Sequence, residues 1–431
     1  MWAFIDLPGH GGFFKMRSFI ESVDFFKGND PEQLVAEFGT PLYVYNEDIL
    51  RKSMRTLKNI ITKYPYTANY SMKANSNLKI LKIALEEGLN ADAMSEGEMR
   101  LLMKAGFPSD RIFFVPNNVS VDELKFAVDN NIIVSLDSID QLELFGKNFP
   151  GTECAVRLNP GVGAGHHEKV VTAGKNTKFA ITDDLIDEIF TVAGKYDLKI
   201  VGINQHVGSL FMDPEPFLQA VKNLLHMAEK FGKLKFIDFG GGYGVPYHKV
   251  SEDEQPFDFE SFTKKFEALL DEFIAEAGYT PLFKTEPGRY TACEAGVLLG
   301  RVHATKTNAD KKFAGTDIGM NILARPSLYG SWHDIEILRN GKPVYEGDRG
   351  VVTVTGNICE TGDIIAKERD LPVIKTGDLA CVLDAGAYGY AMASNYNQRL
   401  RPAEVMIMSD GSYELIRKKD TYEDLFRGFD I

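Results

Sequence analysis

Short apolar runs alternate with helical stretches from about residue 69 to 286. The runs end at Met72, Met94, Val115, Leu136, Leu158, Asn204, Phe239 and Thr285. Most are spaced by roughly twenty to thirty residues, the period of repeated βα units, and the pattern predicts a closed (β/α)8 barrel of parallel strands. Helix starts follow the runs. Ser95 with Glu98, Ser120 with Glu123 and Ser138 with Gln141 each have capping-box spacing. Leu78, Leu81 and Leu85 form an apolar stripe after the first run, and Gly88 is placed to end that helix.

The texture changes after about residue 292. Val351 to Val354 and Leu379 to Leu383 are β-rich runs with Gly and Asp turns between them, which predicts a second, C-terminal β-rich domain. The strand-like Pro41 to Tyr45 precedes the barrel; it either pairs with that domain or leads into the barrel. The expected divisions are 1–45, 46–291 and 292–431, an α/β barrel plus a β domain.

Composition narrows the partners. The 431 residues carry a formal net charge of -13. Such a surface repels nucleic acid and anionic membranes. No apolar run is long enough to span a bilayer. Pro8, Gly9, Gly11 and Gly12 break any leader-like apolar stretch, so no signal peptide is expected; residues 1–15 read as an extension, with Met16 as an alternative start. Cys154, Cys293, Cys359 and Cys381 are widely spaced, which suits a reducing cytoplasm rather than a disulfide framework. His166–His167 lacks the spacing of a metal site, so no metal is expected.

Four candidates fall at the C-terminal ends of predicted barrel strands, where barrels place their active sites. Lys73 is either a surface lysine or, in a desolvated pocket, an amine that forms imines. Gly240, Gly241 and Gly242 make either a tight turn or a cup whose N–H groups reach a phosphate. Val245 stands where the last glycine of G-x-G-x-x-G would be, against a dinucleotide site. Ser209 and Arg289 are suited to the same anion, Arg289 equally to a substrate carboxylate. His206 is either structural or a flat partner for a ring. Glu286 either pairs with a base or sits beside a protonated ring nitrogen. Cys359 has the common reading of a small buried hydrophobe, though polar Asn357 and acidic Glu360 beside it fit burial poorly. Arg325 and Tyr329 share a face if their segment is helical.

The segments GTPLYVY (39–45), YSMKAN (70–75), RLNPGVGAGHHEKVVTAGKNTKF (157–179), HVGS (206–209), DFGGGYG (238–244), EPGR (286–289), RPSLYG (325–330), CETGD (359–363), DAGAYGYAMASNYN (384–397) and RPAEV (401–405) cover nearly the whole chain after the extension. Together they resemble the fold type III, alanine-racemase-like amino-acid decarboxylases, most closely the branch that acts on diaminopimelate. The resemblance implies pyridoxal 5′-phosphate, held as a Schiff base on Lys73 with Asp92 nearby. It implies His206 stacked on the ring and Glu286 at its nitrogen. Ser209, Gly240, Gly241, Gly242, Pro287, Gly288, Arg289 and Tyr388 would surround the cofactor. Arg289, Arg325, Tyr329, Glu360 and Tyr388 would hold substrate, and Cys359 would donate the proton. It places Cys359 and Glu360 in the site of a partner subunit, which implies a homodimer.

The implied reaction is decarboxylation of meso-2,6-diaminopimelate to L-lysine. Fold type III relatives acting on ornithine, lysine, arginine or carboxynorspermidine are the alternative. A racemase fits less well, because related racemases place an arginine where this chain has Glu286. Three positions depart from the family pattern: Ser71 for alanine, Ala180 for glycine and Leu210 for glutamine.

Overall fold

The structure, a computed structural model, describes residues 18–163, 177–252 and 254–429. His166–His167, residues 1–15, Met16 and the middle of the 157–179 motif lie outside the described residues. The eight predicted runs form β2 (Tyr66–Ser71), β3 (Asn90–Ala93), β4 (Ile112–Phe114), β5 (Ile133–Leu136), β6 (Glu153–Arg157), β7 (Lys199–Asn204), β8 (Phe236–Asp238) and β9 (Leu282–Thr285). They close into a parallel barrel, β2 pairing with β9 through Tyr66↔Phe283 to Ala68↔Thr285.

Helices pack around the barrel by the predicted signals. Ser120 makes a full capping box with Glu123. Ser95 caps through the Glu98 N–H, but the Glu98 carboxylate turns back to the Met94 N–H at 2.7 Å. Ser138 caps through the Gln141 N–H at 3.2 Å. The stripe-bearing helix spans Leu78–Glu86, and Gly88 follows in a left-handed conformation, φ 86°. That conformation strains any residue with a Cβ.

The apolar segment before the barrel pairs with the C-terminal sheet. β1 (Leu42–Asn46) is buried along its whole length, which explains its unbroken apolar reading. It runs antiparallel to β10 (Gly296–Asn308), Leu42 opposite Leu299, and parallel to Ala403–Ile407, Leu42 opposite Ala403. The two β-rich runs become Arg349–Thr355 and Leu379–Val382 of the same mixed sheet. Leu42, Val44, Val297, Leu299, Val405 and Ile407 share one core cluster, so the first strand among the described residues is locked between two strands of the C-terminal sheet.

Candidate active site

Side chains two apart on a strand share a face. Asn69 and Ser71 share a face of β2, and Lys73, His206 and Glu286 each lie within two residues beyond the C-terminal ends of β2, β7 and β9. Lys73 sits in a short 3-10 turn, Met72–Ala74, directly beyond β2. Its positive charge acts on Asp92, His206 and Glu286, so these four groups meet at the barrel's C-terminal mouth.

Asp92 ends β3 and is buried. Ser71 donates its hydroxyl to Asp92 Oδ2 at 2.9 Å, while Oδ1 has no hydrogen-bond partner. Burial pushes the Asp92 carboxyl well above the usual range, the Glu286 charge adds to this, and Lys73 opposes it. Glu286 is pushed up to about 8 by burial and then by Asp238, against Lys73 and Arg157. Its Oε1 is buried without a hydrogen-bond partner. His206 is held well below its ordinary value by burial, then by Lys73 and Arg157, so its ring is neutral. The Gly241 N–H donates to His206 Nδ1 at 3.3 Å, which leaves the ring proton on Nε2.

The glycine run has a packing reason as well as a binding one. A Cβ on Gly240 would lie 2.3 Å from the Gln205 carbonyl oxygen, one on Gly241 2.0 Å from that of Glu286, and one on Gly242 2.4 Å from that of Gly208. Only bare backbone lets this loop lie against the loops bearing His206 and Glu286. The Gly240 N–H donates to Asp238 Oδ1 at 2.9 Å, and the Gly240 carbonyl accepts from the Glu286 N–H at 2.9 Å. The turn of Pro287 and Gly288 leans on β2: the Pro287 carbonyl accepts from the Ser71 N–H at 3.1 Å.

Arg289 is buried and donates to Ser209 Oγ from Nε at 3.2 Å and Nη2 at 3.0 Å, and to Tyr247 Oη from Nη1 at 2.8 Å. Its guanidinium lies 4.9 Å from the Tyr388 ring centre. Arg325, 1% exposed, begins the helix Arg325–Tyr329, and its guanidinium lies 4.7 Å from the Tyr247 ring centre. Among the described residues neither arginine has an acidic partner. Two desolvated guanidinium groups facing one tyrosine form an anion site, since an uncompensated buried charge costs several kcal/mol until an anion joins it. Tyr329, half-buried, lies one turn beyond Arg325.

The structure therefore gathers Lys73, Asp92, His206, Ser209, Gly240, Gly241, Gly242, Glu286, Pro287, Gly288, Arg289, Tyr388 and Arg325. Cys359 and Glu360 stand apart on an exposed loop. The Cys359 N–H donates to Asn397 Oδ1 at 3.0 Å, and Glu360 Oε1 accepts from Tyr396 Oη. Burial is thus not the fate of this cysteine, unlike the other three. Sequence reasoning missed Arg157 and Tyr247. Arg157 ends β6, its charge acts on His206 and Glu286, and its guanidinium lies 4.8 Å from the Phe179 ring centre; the strand-end rule that found Lys73 applies to it too.

Comparison with known proteins decides the family. The profile described as "Pyridoxal-dependent decarboxylase, pyridoxal binding domain" matches residues 47–293. A diaminopimelate decarboxylase from Methanothermobacter thermautotrophicus is 40% identical over 413 residues, 94% of this chain and 95% of that protein. The chain belongs to the diaminopimelate decarboxylase family. A second diaminopimelate decarboxylase, from Archaeoglobus fulgidus, is 36% identical over 91% of this chain and 93% of its own length. The crystal structure of diaminopimelate decarboxylase from Helicobacter pylori, complexed with L-lysine, superposes with a TM-score of 0.84 at 30% identity, covering 92% of this chain and 98% of that one.

The site fits the pyridoxal phosphate that this diaminopimelate decarboxylase family uses. Lys73 presents an amine, and the buried Glu286 Oε1 waits for a hydrogen-bond donor. His206 presents a flat neutral ring, and Arg289 with Ser209 presents a cation and a hydroxyl beside the glycine loop.

Proposed function

We infer that this chain removes carbon dioxide from meso-2,6-diaminopimelate and yields L-lysine, the last step of lysine biosynthesis. The observation that carries the substrate reading is the pair of buried guanidinium groups, Arg289 and Arg325, without an acidic partner among the described residues. Diaminopimelate has an amino-acid head at each end. One head reacts, and the other brings the carboxylate that such a pair binds bidentately. Ornithine has no second carboxylate to offer.

Lys73 would hold pyridoxal phosphate, with His206 against its ring, Glu286 at its nitrogen, Asp92 beside Lys73, and Ser209, Gly240–Gly242, Pro287, Gly288, Arg289 and Tyr388 around it. When bound, the cofactor supplies a sink for the electron pair released as the Cα–carboxylate bond breaks. Glu286 would place its carboxyl where the ring proton belongs, and pairing with that proton would favour the charged ring and strengthen the sink. The neutral His206 ring adds no competing positive charge to the face it covers. Arg289, Arg325, Tyr329 and Tyr388 fix the distal head, so that only one carboxylate reaches the Lys73 end.

The remaining step returns a proton to Cα. Cys359 and Glu360 are exposed, held by Asn397 and Tyr396 of a second surface segment and away from Lys73, which suits groups that serve another subunit's site. In this reading a homodimer shares its active sites: Cys359 Sγ delivers the proton and Glu360 meets the distal ammonium across the interface. The cofactor barrel takes 46–291, and the strand Leu42–Asn46 before it joins 292–431. The compartment is the cytoplasm, in keeping with four cysteines that are all free thiols. No described helix is long and apolar enough to cross a membrane.

Mixing inactive Lys73→Ala protein with slow Cys359→Ala protein tests the shared site. Hybrid dimers holding one intact site regain activity above either parent. Activity no higher than the sum of the parents would rule out sharing.

A further inference from the structure

His333 is fully buried and has no part in the chemistry above. It lies two residues before the strand Ile335–Arg339 and contacts the buried Arg325. Arg325 Nη1 and His333 Nε2 are 2.7 Å apart. An arginine side chain only donates, so Nε2 is the acceptor and bears no proton. His333 Nδ1 then carries the ring proton and donates it to the Leu383 carbonyl at 2.8 Å. That carbonyl is itself fixed, because the Leu383 N–H donates to the Asp334 carbonyl at 2.9 Å. One tautomer satisfies both bonds, and a charged imidazolium satisfies only one. Burial, with Arg325 alongside, holds the ring well below its ordinary value, in agreement with that geometry.

A guanidinium can be oriented in two ways. A carboxylate grips it bidentately and cancels its charge. A neutral acceptor grips it at one corner and leaves the charge available. Arg325 has the second arrangement. Tyr247 completes the frame: its ring lies edge-on to His333, 5.3 Å between centres, and its hydroxyl accepts from Arg289 at 2.8 Å. Tyr247 Oη also lies 3.0 Å from Cys293 Sγ, which reaches the Asp384 carbonyl at 3.1 Å. Every group supporting the two arginines here is uncharged.

We propose that His333 is a positioning residue for substrate specificity, aiming Arg325 at the distal carboxylate while leaving its positive charge uncancelled. The proposal rests on the reading of Arg325 as a ligand of that carboxylate. It predicts that a negative charge at position 333 damages recognition of the distal head more than it damages the fold or the chemistry.

The test measures calorimetric binding to the cofactor-loaded protein of L-lysine, which keeps the distal carboxylate, and of cadaverine, which lacks it. His333→Asp should weaken L-lysine at least tenfold and leave cadaverine within threefold. The KM for meso-diaminopimelate should rise at least tenfold with kcat within threefold. His333→Gln, a neutral acceptor, should restore L-lysine binding to within threefold of the parent. Should His333→Asp not fold, His333→Phe keeps a ring without the acceptor and should weaken L-lysine alone. Unchanged L-lysine binding in both variants, or equal weakening of the two ligands, would overturn the proposal. Arg325→Met is the separate control: L-lysine binding that survives it would overturn the underlying substrate reading instead.

Discussion

Tyr388 donates its backbone N–H to the carbonyl of Ala74 at 2.7 Å, so a loop of the C-terminal sheet grips the turn that carries Lys73. Tyr388 holds this position at φ 56°, a conformation costly for a bulky residue. A second grip lies one residue on. Asn75 Nδ2 donates to the Gly386 carbonyl at 2.9 Å and to Tyr45 Oη at 3.0 Å, and Tyr45 Oη donates to Glu404 Oε1 at 2.7 Å. Glu404, fully buried, also pairs with Arg417 and accepts from Asn77 Nδ2 at 2.8 Å. Three motifs, PLYVY, YSMKAN and RPAEV, are therefore one hydrogen-bonded chain behind Lys73.

Tyr45→Phe removes the central hydroxyl of that chain. It strands one Asn75 N–H and one Glu404 oxygen in a buried setting. The expected loss of stability is about 1–3 kcal/mol. Urea unfolding checks the loss, and faster cofactor release on dialysis checks that the Lys73 turn has loosened. Parent-like behaviour in both would detach the chain from the site.

Ala180 stands where the family pattern has glycine, and its φ is 73°. A Cβ in that region costs about 1–2 kcal/mol, partly offset by the extra freedom glycine gives the unfolded chain. Ala180→Gly should stabilise the protein by about 0.5–1 kcal/mol, read from the denaturation midpoint.

The raised Glu286 carboxyl sets a pH dependence. The folded protein holds this proton up to about pH 8, whereas the unfolded chain releases it near the ordinary 4.5. The stabilising contribution is full below 4.5 and is lost as pH rises through about 8. Cofactor-free protein should lose stability across that window, and Glu286→Gln should flatten the slope. A slope unchanged in Glu286→Gln would assign the titration to another carboxyl raised by burial, Asp92, Asp238, Glu336 or Asp384.

Ser71 is the departure closest to the chemistry. Its hydroxyl opposes the upward push on Asp92. Ser71→Ala should drive the Asp92 carboxyl higher still and shift the pH dependence of the Lys73-bound cofactor absorbance. An unmoved absorbance profile would show that the bond to Asp92 is idle.

The sequence was most legible where local pattern and tertiary burial coincide. Parallel barrel strands are buried on both faces, so their apolar runs appear directly, and all eight ends lie within a residue or so of the observed ones. Lys73, His206 and Glu286 were legible for the same reason, because strand ends converge on one mouth. Tyr247 and His333 were not. Each lies in irregular chain, and its meaning depends on Arg289 and Arg325 arriving from distant segments. The pairing of β1 was left open because a buried strand reads alike whichever sheet receives it. The Ala180 strain shows only in the backbone angle.

Carbon dioxide release by the cofactor-loaded protein, measured in parallel on meso-diaminopimelate, L-ornithine and D-ornithine, tests the central claim most directly. Diaminopimelate should be turned over far faster than either ornithine, with L-lysine formed in equal amount to the gas. Faster release from an ornithine, or none from diaminopimelate, would contradict the assignment of Arg289 and Arg325 to a distal carboxylate.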